Sequence, residues 1–304
     1  MKDIRFIAVC GPTASGKSDL AMHLARKFSG EIVCCDSVQV YRGFDIGSAK
    51  PTVQDQQEIP HHLFSIVRCD EDFSAGIYRE QALGTLEKLN SRGVLPIVVG
   101  GTGLYLRALI GTRWDEQLPS DDALRTILNH KTTEELVSEL QSLDPLRMQE
   151  LHINDRYRLV RALELVKLTG KTALERASSS VACSAPMDPL FVLMDPPRAI
   201  LHERINRRSQ QMLDRGIIYE VRELRNQGCA ISSKPMQSIG YAQVNQFLDG
   251  RVEANQLSEL IAAATRQYAK RQVTWFRKMT ADVRIQDHTN TGDIERMVEA
   301  YLRK

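Results

Sequence analysis

Gly11, Pro12, Thr13, Ala14, Ser15, Gly16, Lys17 and Ser18 follow the spacing G-x-x-x-x-G-K-[ST], that of a P-loop. The chemistry of such a set is the gripping of a phosphate chain. Gly11 and Gly16 let the backbone turn sharply and bring its N–H groups close to a polyphosphate. The start of the following helix adds partial positive charge. Lys17 suits phosphate oxygens, and the Ser18 hydroxyl suits Mg²⁺. A second chemical group is Asp36, which ends the apolar run Ile32-Val33-Cys34-Cys35. It reads as a carboxylate that helps hold Mg²⁺, as a general base, or as a turn or helix-cap aspartate.

The elements that must position these residues are legible around them. Phe6 to Val9 is a continuous apolar run, as expected of a strand buried on both faces. Leu20, Ala21, Leu24, Ala25 and Phe28 then recur at helical spacing before Gly30. Ligands of an open parallel sheet sit outside the carboxyl ends of its strands, so the P-loop and Asp36 belong on one rim. The polar stretches 36–43 and 45–51 read as a binding loop. A helix capped by Ser74 precedes a third strand over 94–99, and Gly100-Gly101-Thr102-Gly103 follows it as a second recognition loop or a tight turn. His61 and His62 are adjacent, point in different directions and have no third ligand nearby, so they read as structural.

From about Trp114 the pattern turns helical, with segments at 121–130, 132–142, 144–151 and 155–169, and Ser178 to Ser180 read as a linker. A buried strand returns at 189–195. The expected architecture is therefore α/β: a P-loop NTPase-like parallel sheet flanked by helices over 1–113 and 188–304, interrupted by an all-helical insertion over 114–187. Acidic side chains outnumber basic ones in the insertion, yet Arg156, Arg158 and Arg161 cluster at one helix start. Asp195 resembles a Walker B ending, and the next helix carries Arg198, Arg204, Arg207, Arg208 and Arg215, a residue type suited to bidentate phosphate contacts. Residues 256–280 read as the last strong helix, with Leu257, Leu260, Ile261, Ala264 and Tyr268 on its apolar face. Its later half carries Arg266, Lys270, Arg271, Arg277 and Lys278 among glutamine, threonine and aromatics, a mixture suited to a nucleic-acid backbone or to the dipole of a helix end.

Composition sets bounds. The 304 residues are 42% hydrophobic and 26% charged, which is ordinary for a globular chain with a sizeable core. A net charge of +2 requires any basic surface to be local. No apolar run approaches the roughly 20 residues that span a bilayer. Strand pattern begins within a few residues of Met1, leaving no room for a signal peptide. Six cysteines without a C-x-x-C make a zinc site or a disulfide framework unexpected. A soluble, reducing, cytoplasmic protein, and a monomer, is the expectation.

Three functions share these parts: a small-molecule or nucleotide kinase, a nucleotide-gated RNA-binding switch, and a transferase that releases pyrophosphate and modifies an RNA base. The motif set is more specific. GPTASGKS, DSVQVYRGFDIGSAKP, GGTGLYLRAL, INDRYRLVRALE, ERINRRSQQMLDRG, SIGYAQ and YAKRQVTWFRK resemble, in order and over residues 5 to about 280, the tRNA dimethylallyltransferase (tRNA isopentenyltransferase) family. The absence of C-x-x-C points to its bacterial type.

That resemblance implies transfer of a dimethylallyl group from dimethylallyl diphosphate to N6 of the adenosine 3′ of the anticodon, in tRNAs reading codons that begin with U. It implies that the P-loop, Thr13, Lys17, Mg²⁺ at Ser18 and Arg208 hold the diphosphate, with Thr13, Lys17 and Asp36 catalytic and Asp36 the base. It further implies tRNA contacts at Asp36, Ser37, Val38, Gln39 and Thr102, at Arg125, Tyr157, Arg158 and Arg161 in a clamp-like insertion, at Gln237, Gly240 and Tyr241, and at Lys270, Arg271, Gln272, Thr274, Trp275 and Arg277. Asp195 is then structural. No D-D-x-x-D pair of the prenyl synthases is present.

Overall fold

The first apolar run forms β1 (Ile4–Cys10) and leads through the glycine-bounded loop into α1 (Lys17–Phe28). There follow β2 (Glu31–Cys34), α2 (Val53–Glu58), β3 (His61–His62), α3 (Ala75–Ser91), β4 (Pro96–Gly100) and α4 (Gly103–Ile110). Five helices come next: α5 (Asp122–His130), α6 (Thr133–Leu143), α7 (Pro145–Glu150), α8 (Arg156–Thr169) and α9 (Ala173–Ser179). The chain then returns as β5 (Met187–Met194), α10 (Arg198–Asp214), α11 (Ile217–Asn226), α12 (Tyr241–Leu248), α13 (Ala254–Phe276), β6 (Val283–Ile285) and α14 (Gly292–Arg303). This computed structural model describes residues 3–111, 118–179, 187–287 and 291–304.

The strands lie in one parallel sheet in the order β3-β2-β4-β1-β5-β6. Their alternation feeds two cores. Phe6, Ala8, Cys10, Val98, Phe191 and Leu193 point to one face, while Ile7, Val9, Ile97, Val99, Leu190, Val192 and Met194 point to the other. On the second face α1 packs through Leu20, Ala21 and Leu24; on the first, α4 packs through Tyr105, Leu106 and Leu109. The neighbouring strands β1 and β4 therefore send their following helices to opposite faces. That divergence opens a crevice beyond their carboxyl ends, where a ligand site belongs.

Contacts divide the chain into two compact units, Met1–Ile110 with Ala185–Lys304, and Gly111–Ser184. The second unit has its own apolar centre, built from Leu128, Leu136, Leu140, Leu159 and Leu163. Capping is conventional there: Asp121, Thr132, Asp144 and Asp155 each accept a backbone N–H at a helix start.

Several elements differ from expectation. His61 and His62 form a two-residue edge strand; His62 Nε2 lies 2.6 Å from Glu31 Oε2, and His61 Nδ1 lies 2.7 Å from the Ile59 carbonyl. The basic helix ends at Phe276 rather than 280, so Arg277 and Lys278 lie in the turn beyond it. Leu260, expected on the apolar face, is 38% exposed. The tail contributes β6 and a further helix, α14, whose Ile294, Val298 and Tyr301 complete the second core. Ser178 and Ser179 end α9 rather than forming a linker. Trp114 and Ser180, at the expected boundaries, lie outside the described residues. Cys69 and Cys229 are joined as a disulfide, contrary to expectation, because the fold brings together segments 160 residues apart.

Tyr301 ties α14 to the sheet. Its hydroxyl accepts the Phe6 N–H at 3.0 Å and donates to the Asp188 carbonyl, joining β1 and β5 to the last helix. Removing it leaves one buried and one half-buried backbone group without that partner. Tyr301→Phe is expected to cost about 1–3 kcal/mol in urea unfolding with an unchanged slope; an unaltered midpoint would show these bonds to be dispensable.

Candidate active site

The P-loop is shaped by where it must fit. Gly11 has φ +154°, and a Cβ there would lie 2.6 Å from the Met194 carbonyl oxygen of β5. Gly16 has φ +92° and starts α1. Arg204, on α10, donates to the Ser15 carbonyl at 3.2 Å and braces the loop from outside. The Ser15 hydroxyl is buried with no partner among the described residues, and Lys17 Nζ lies 3.3 Å from the Pro12 carbonyl. Thr13 is held at both ends. Its N–H donates to Gln272 Oε1 at 2.8 Å, and its Oγ1 accepts from Arg208 Nη1 at 3.2 Å. Because the guanidinium uses a lone pair of Oγ1, the Thr13 hydroxyl proton is left for a further acceptor.

On the adjacent rim, Asp36 follows the end of β2. Its Oδ1 accepts the N–H groups of Val38 at 2.9 Å and Gln39 at 3.3 Å, which fixes the turn. Its Oδ2 takes no hydrogen bond from the described residues. Thr102 Oγ1 accepts the Ser37 N–H at 3.0 Å. These strand ends approach closely because Gly100 has no side chain; a Cβ there would overlap the Cys35 carbonyl. The loop over 45–50 closes the next side. Glu220, on α11, accepts the N–H groups of Asp45, Ile46 and Gly47 at 3.2, 2.7 and 3.3 Å and the Tyr241 hydroxyl at 2.6 Å. Gln39 Nε2 donates to the Ser48 and Ala49 carbonyls at 3.0 Å each.

One cavity of about 480 Å³ joins these parts. Thr13, Lys17, Ser18, Asp36, Ser37, Val38, Gln39, Arg208 and Gln237 line it, and so do Tyr268, Arg271 and Gln272 of α13. It also has apolar walls at Met22, Ile32, Phe64, Val99, Ile205, Met212 and Ile261. An anion cradle, a carboxylate, an apolar lining and the basic helix thus open into the same space.

The electrostatics of that space favour an anion. Burial first, and the neighbouring Arg208 second, push the Lys17 ammonium down to about 8, against an opposing pull from Asp36. Burial likewise pushes the Tyr268 phenol up, with Asp36 adding to the effect. Cys35, buried beneath the rim, is pushed up to about 12, mainly by burial, and remains a thiol.

The family model described as IPP transferase matches residues 39–279. The chain belongs to the IPP transferase family. A tRNA dimethylallyltransferase of Trichlorobacter lovleyi is 43% identical over 91% of this chain and 92% of its own length. One of Syntrophus aciditrophicus is 40% identical, covering 98% and 97%. Among solved structures, the full-length tRNA isopentenylpyrophosphate transferase of Bacillus halodurans matches with TM-score 0.73 and 32% identity over 99% of this chain and 97% of that one. A eukaryotic dimethylallyltransferase acting on tRNA matches with TM-score 0.78 and 31% identity, covering 90% of this chain and 70% of that one. The relatives are named for transfer of a dimethylallyl or isopentenyl group rather than a phosphoryl group, which sets the kinase reading aside.

Several residues expected to touch tRNA have other partners. Tyr241 is fully buried, its ring tilted against that of Phe44 and its hydroxyl on Glu220, and Gly240 is buried beside it. Gln272 is 6% exposed and bonded within the protein on both sides. Trp275 packs beneath Gly103, where a Cβ would lie 2.2 Å from the indole. Thr274 Oγ1 donates to the Lys270 carbonyl of its own helix at 3.0 Å. In the helical unit, Arg125 and Arg161 converge on Glu164, a fully buried carboxylate, at 2.9 and 2.5 Å. Such a pair neutralises a buried charge, which explains both arginines without RNA. Tyr157, by contrast, is 81% exposed, and Arg158 is exposed beside Asp155. Lys270, Arg271 and Arg277 are exposed. Asp195 lies 3.5 Å from Arg284 and does not line the cavity.

Sequence reasoning missed Tyr268 and Glu220 as parts of the site. The spacing of Tyr268 matches an apolar face, which hides its place in the cavity wall. Glu220 acts through backbone N–H groups, which leave no side-chain signature.

An anion seated on Lys17 raises its pKa again, so binding is strongest with the lysine charged and weakens as pH rises through 8. Arginine at this position would stay charged. The ratio of pyrophosphate affinities, wild type over Lys17→Arg, is therefore expected to decline about tenfold per unit above pH 8. Calorimetric titration between pH 6.5 and 9.5 reads it, and a flat ratio would show that Lys17 is not the titrating contact.

Proposed function

We infer that this chain transfers the dimethylallyl group of dimethylallyl diphosphate to N6 of the adenosine 3′ of the anticodon in tRNAs reading codons that begin with U. The observation that carries the reading is the single cavity in which Lys17, Arg208 and Thr13 face Asp36 while Arg271 of the basic helix lines the same wall. N6 forms a bond to the allylic carbon, the carbon–oxygen bond to diphosphate breaks, and pyrophosphate leaves with the bonding pair. Lys17, Arg208 and the loop amides stabilise the charge that grows on the leaving group, and the Thr13 hydroxyl donates to it. Asp36 takes the proton released from N6, which offsets the poor nucleophilicity of an aromatic amine. The base must leave its stack to reach this depth.

Mg²⁺ suits the donors present. Ser18 offers an oxygen ligand in the cavity, and no cluster of three or more His, Cys, Asp or Glu that could hold a metal occurs among the described residues. A hard cation held by one or two protein oxygens completes its shell with substrate oxygens and water. Bound at Ser18, it would supply charge neutralisation to the diphosphate.

Lys270, Arg271 and Arg277, with Tyr157 and Arg158 of the helical unit, are the exposed groups proposed to meet the anticodon stem-loop. Gln237, Ser37, Val38, Gln39 and Thr102 are proposed to meet the extruded adenine and its neighbours. The insertion over 114–187 is proposed as the tRNA-clamping domain. The chain is proposed to act as a cytoplasmic monomer.

Labelled dimethylallyl diphosphate and unmodified tRNA should give acid-precipitable label on one adenosine. Asp36→Ala should lower the rate per bound complex by about 10²–10⁴-fold with tRNA affinity nearly intact. Parallel loss of binding, with an unchanged rate per complex, would remove Asp36 as the base. Replacing Lys270, Arg271 and Arg277 together by Ala should flatten the salt dependence of tRNA binding by about 0.7–0.9 for each phosphate that is no longer neutralised. An unchanged slope would return these cations to the helix end alone.

A further inference from the structure

Gln272 sits where the two halves of the site meet. It is buried on α13, one residue past the exposed Arg271 and one helical turn past Tyr268. Its Oε1 accepts the Thr13 N–H of the P-loop at 2.8 Å, and its Nε2 donates to the Gly101 carbonyl at 2.8 Å. One neighbour offers a donor and the other an acceptor, so a single orientation of the carboxamide satisfies both. Gly101 has no side chain at the contact; a Cβ there would lie 2.4 Å from Gln272 Nε2.

Each bond reaches a different reactant's wall. Thr13, held through its N–H, presents its hydroxyl beside Arg208 on the diphosphate side. Gly101 is followed by Thr102, whose N–H donates to the Cys35 carbonyl at 3.3 Å and whose hydroxyl holds the Ser37 N–H beside Asp36. Here the Thr13 amide is taken by Gln272, while its hydroxyl oxygen meets Arg208.

We propose that Gln272 is a positioning residue that fixes Thr13 against the Gly101–Thr102 loop, setting the distance between leaving group and attacking base. The proposal rests on the transfer reading above. It assigns Gln272 no contact with tRNA, and it makes the rate of the bound complex, not tRNA affinity, the quantity the residue controls.

Gln272→Met keeps the volume and removes both bonds. The expected result is a fall in kcat of about 10–100-fold, the scale of an ångström-sized misplacement. Pyrophosphate affinity, read by calorimetry, should fall several-fold, while tRNA affinity stays within about twofold. Gly101→Ala should reproduce the loss of kcat by displacing the carboxamide, and should add little in a Gln272→Ala background, where the Cβ keeps only a 3.2 Å contact with the Gly11 carbonyl oxygen. A folded Gln272→Met enzyme with wild-type kcat overturns the proposal, as does a loss confined to tRNA affinity, which would make Gln272 an RNA contact. If Gln272→Met does not fold, Gly101→Ala decides alone, and wild-type kcat there overturns it. Wild-type protein that fails to label tRNA refutes the transfer reading instead; pyrophosphate affinity unchanged by Gln272→Met would then refute the positioning role separately.

Discussion

Lys17 and Arg208 line the same cavity. They repel each other, both lose hydration, and Asp36 is the carboxylate that faces them. Such an arrangement is costly until an anion arrives, and the rest of the core serves to hold it in place. The loop that carries Lys17 needs glycine at its first position because β5 passes so close. Arg208 arrives on α10, 195 residues after the Thr13 it contacts. Glu220 secures the loop over 45–50, whose Ser48 carbonyl in turn accepts from Arg208 at 3.4 Å. Charge crowding at the centre is thus sustained by backbone contacts around it.

The same crowding suits a reaction whose leaving group is more anionic than its bound substrate. Groups already fixed and desolvated stabilise new charge without reorganising. The apolar wall at Met22, Phe64, Val99 and Ile205 has the opposite character and suits a hydrocarbon chain. Placed side by side, the two linings match an isoprenoid diphosphate better than a nucleotide, whose base and ribose carry polar edges.

The sequence disclosed what depends on neighbours along the chain. Residues 6–18 combine an apolar run, two glycines and a helical repeat in register, so the cradle could be read directly. Asp36 and Thr102 were legible because each follows a strand, and strand ends in such sheets share a rim. Contacts across the fold were not legible. Gln272 and Arg271 are adjacent in a basic stretch, yet one is buried and the other exposed. Arg125 and Arg161 resemble an RNA-binding pair until Glu164, buried between them, shows what they neutralise. Tyr241 stands in a family motif, but its hydroxyl serves Glu220. The edge strands β3 and β6 carry too few apolar residues to announce themselves.

The placement of the helical unit between α4 and β5 bears on how the chain is made. β1 pairs with β4 on one side and β5 on the other, and the latter register matches Ile4 with Met187. On the ribosome, the N-terminal portion can form β1, β2 and β4 long before β5 is translated. One flank of its innermost strand stays uncovered throughout that interval, with unpaired main-chain groups and apolar side chains open to stray partners. Arg208 and Gln272 emerge later still, so the nascent cradle exists for a time as a bare loop. Competence to hold its ligand comes only once α13 has been made, and chaperone demand should be greatest before then.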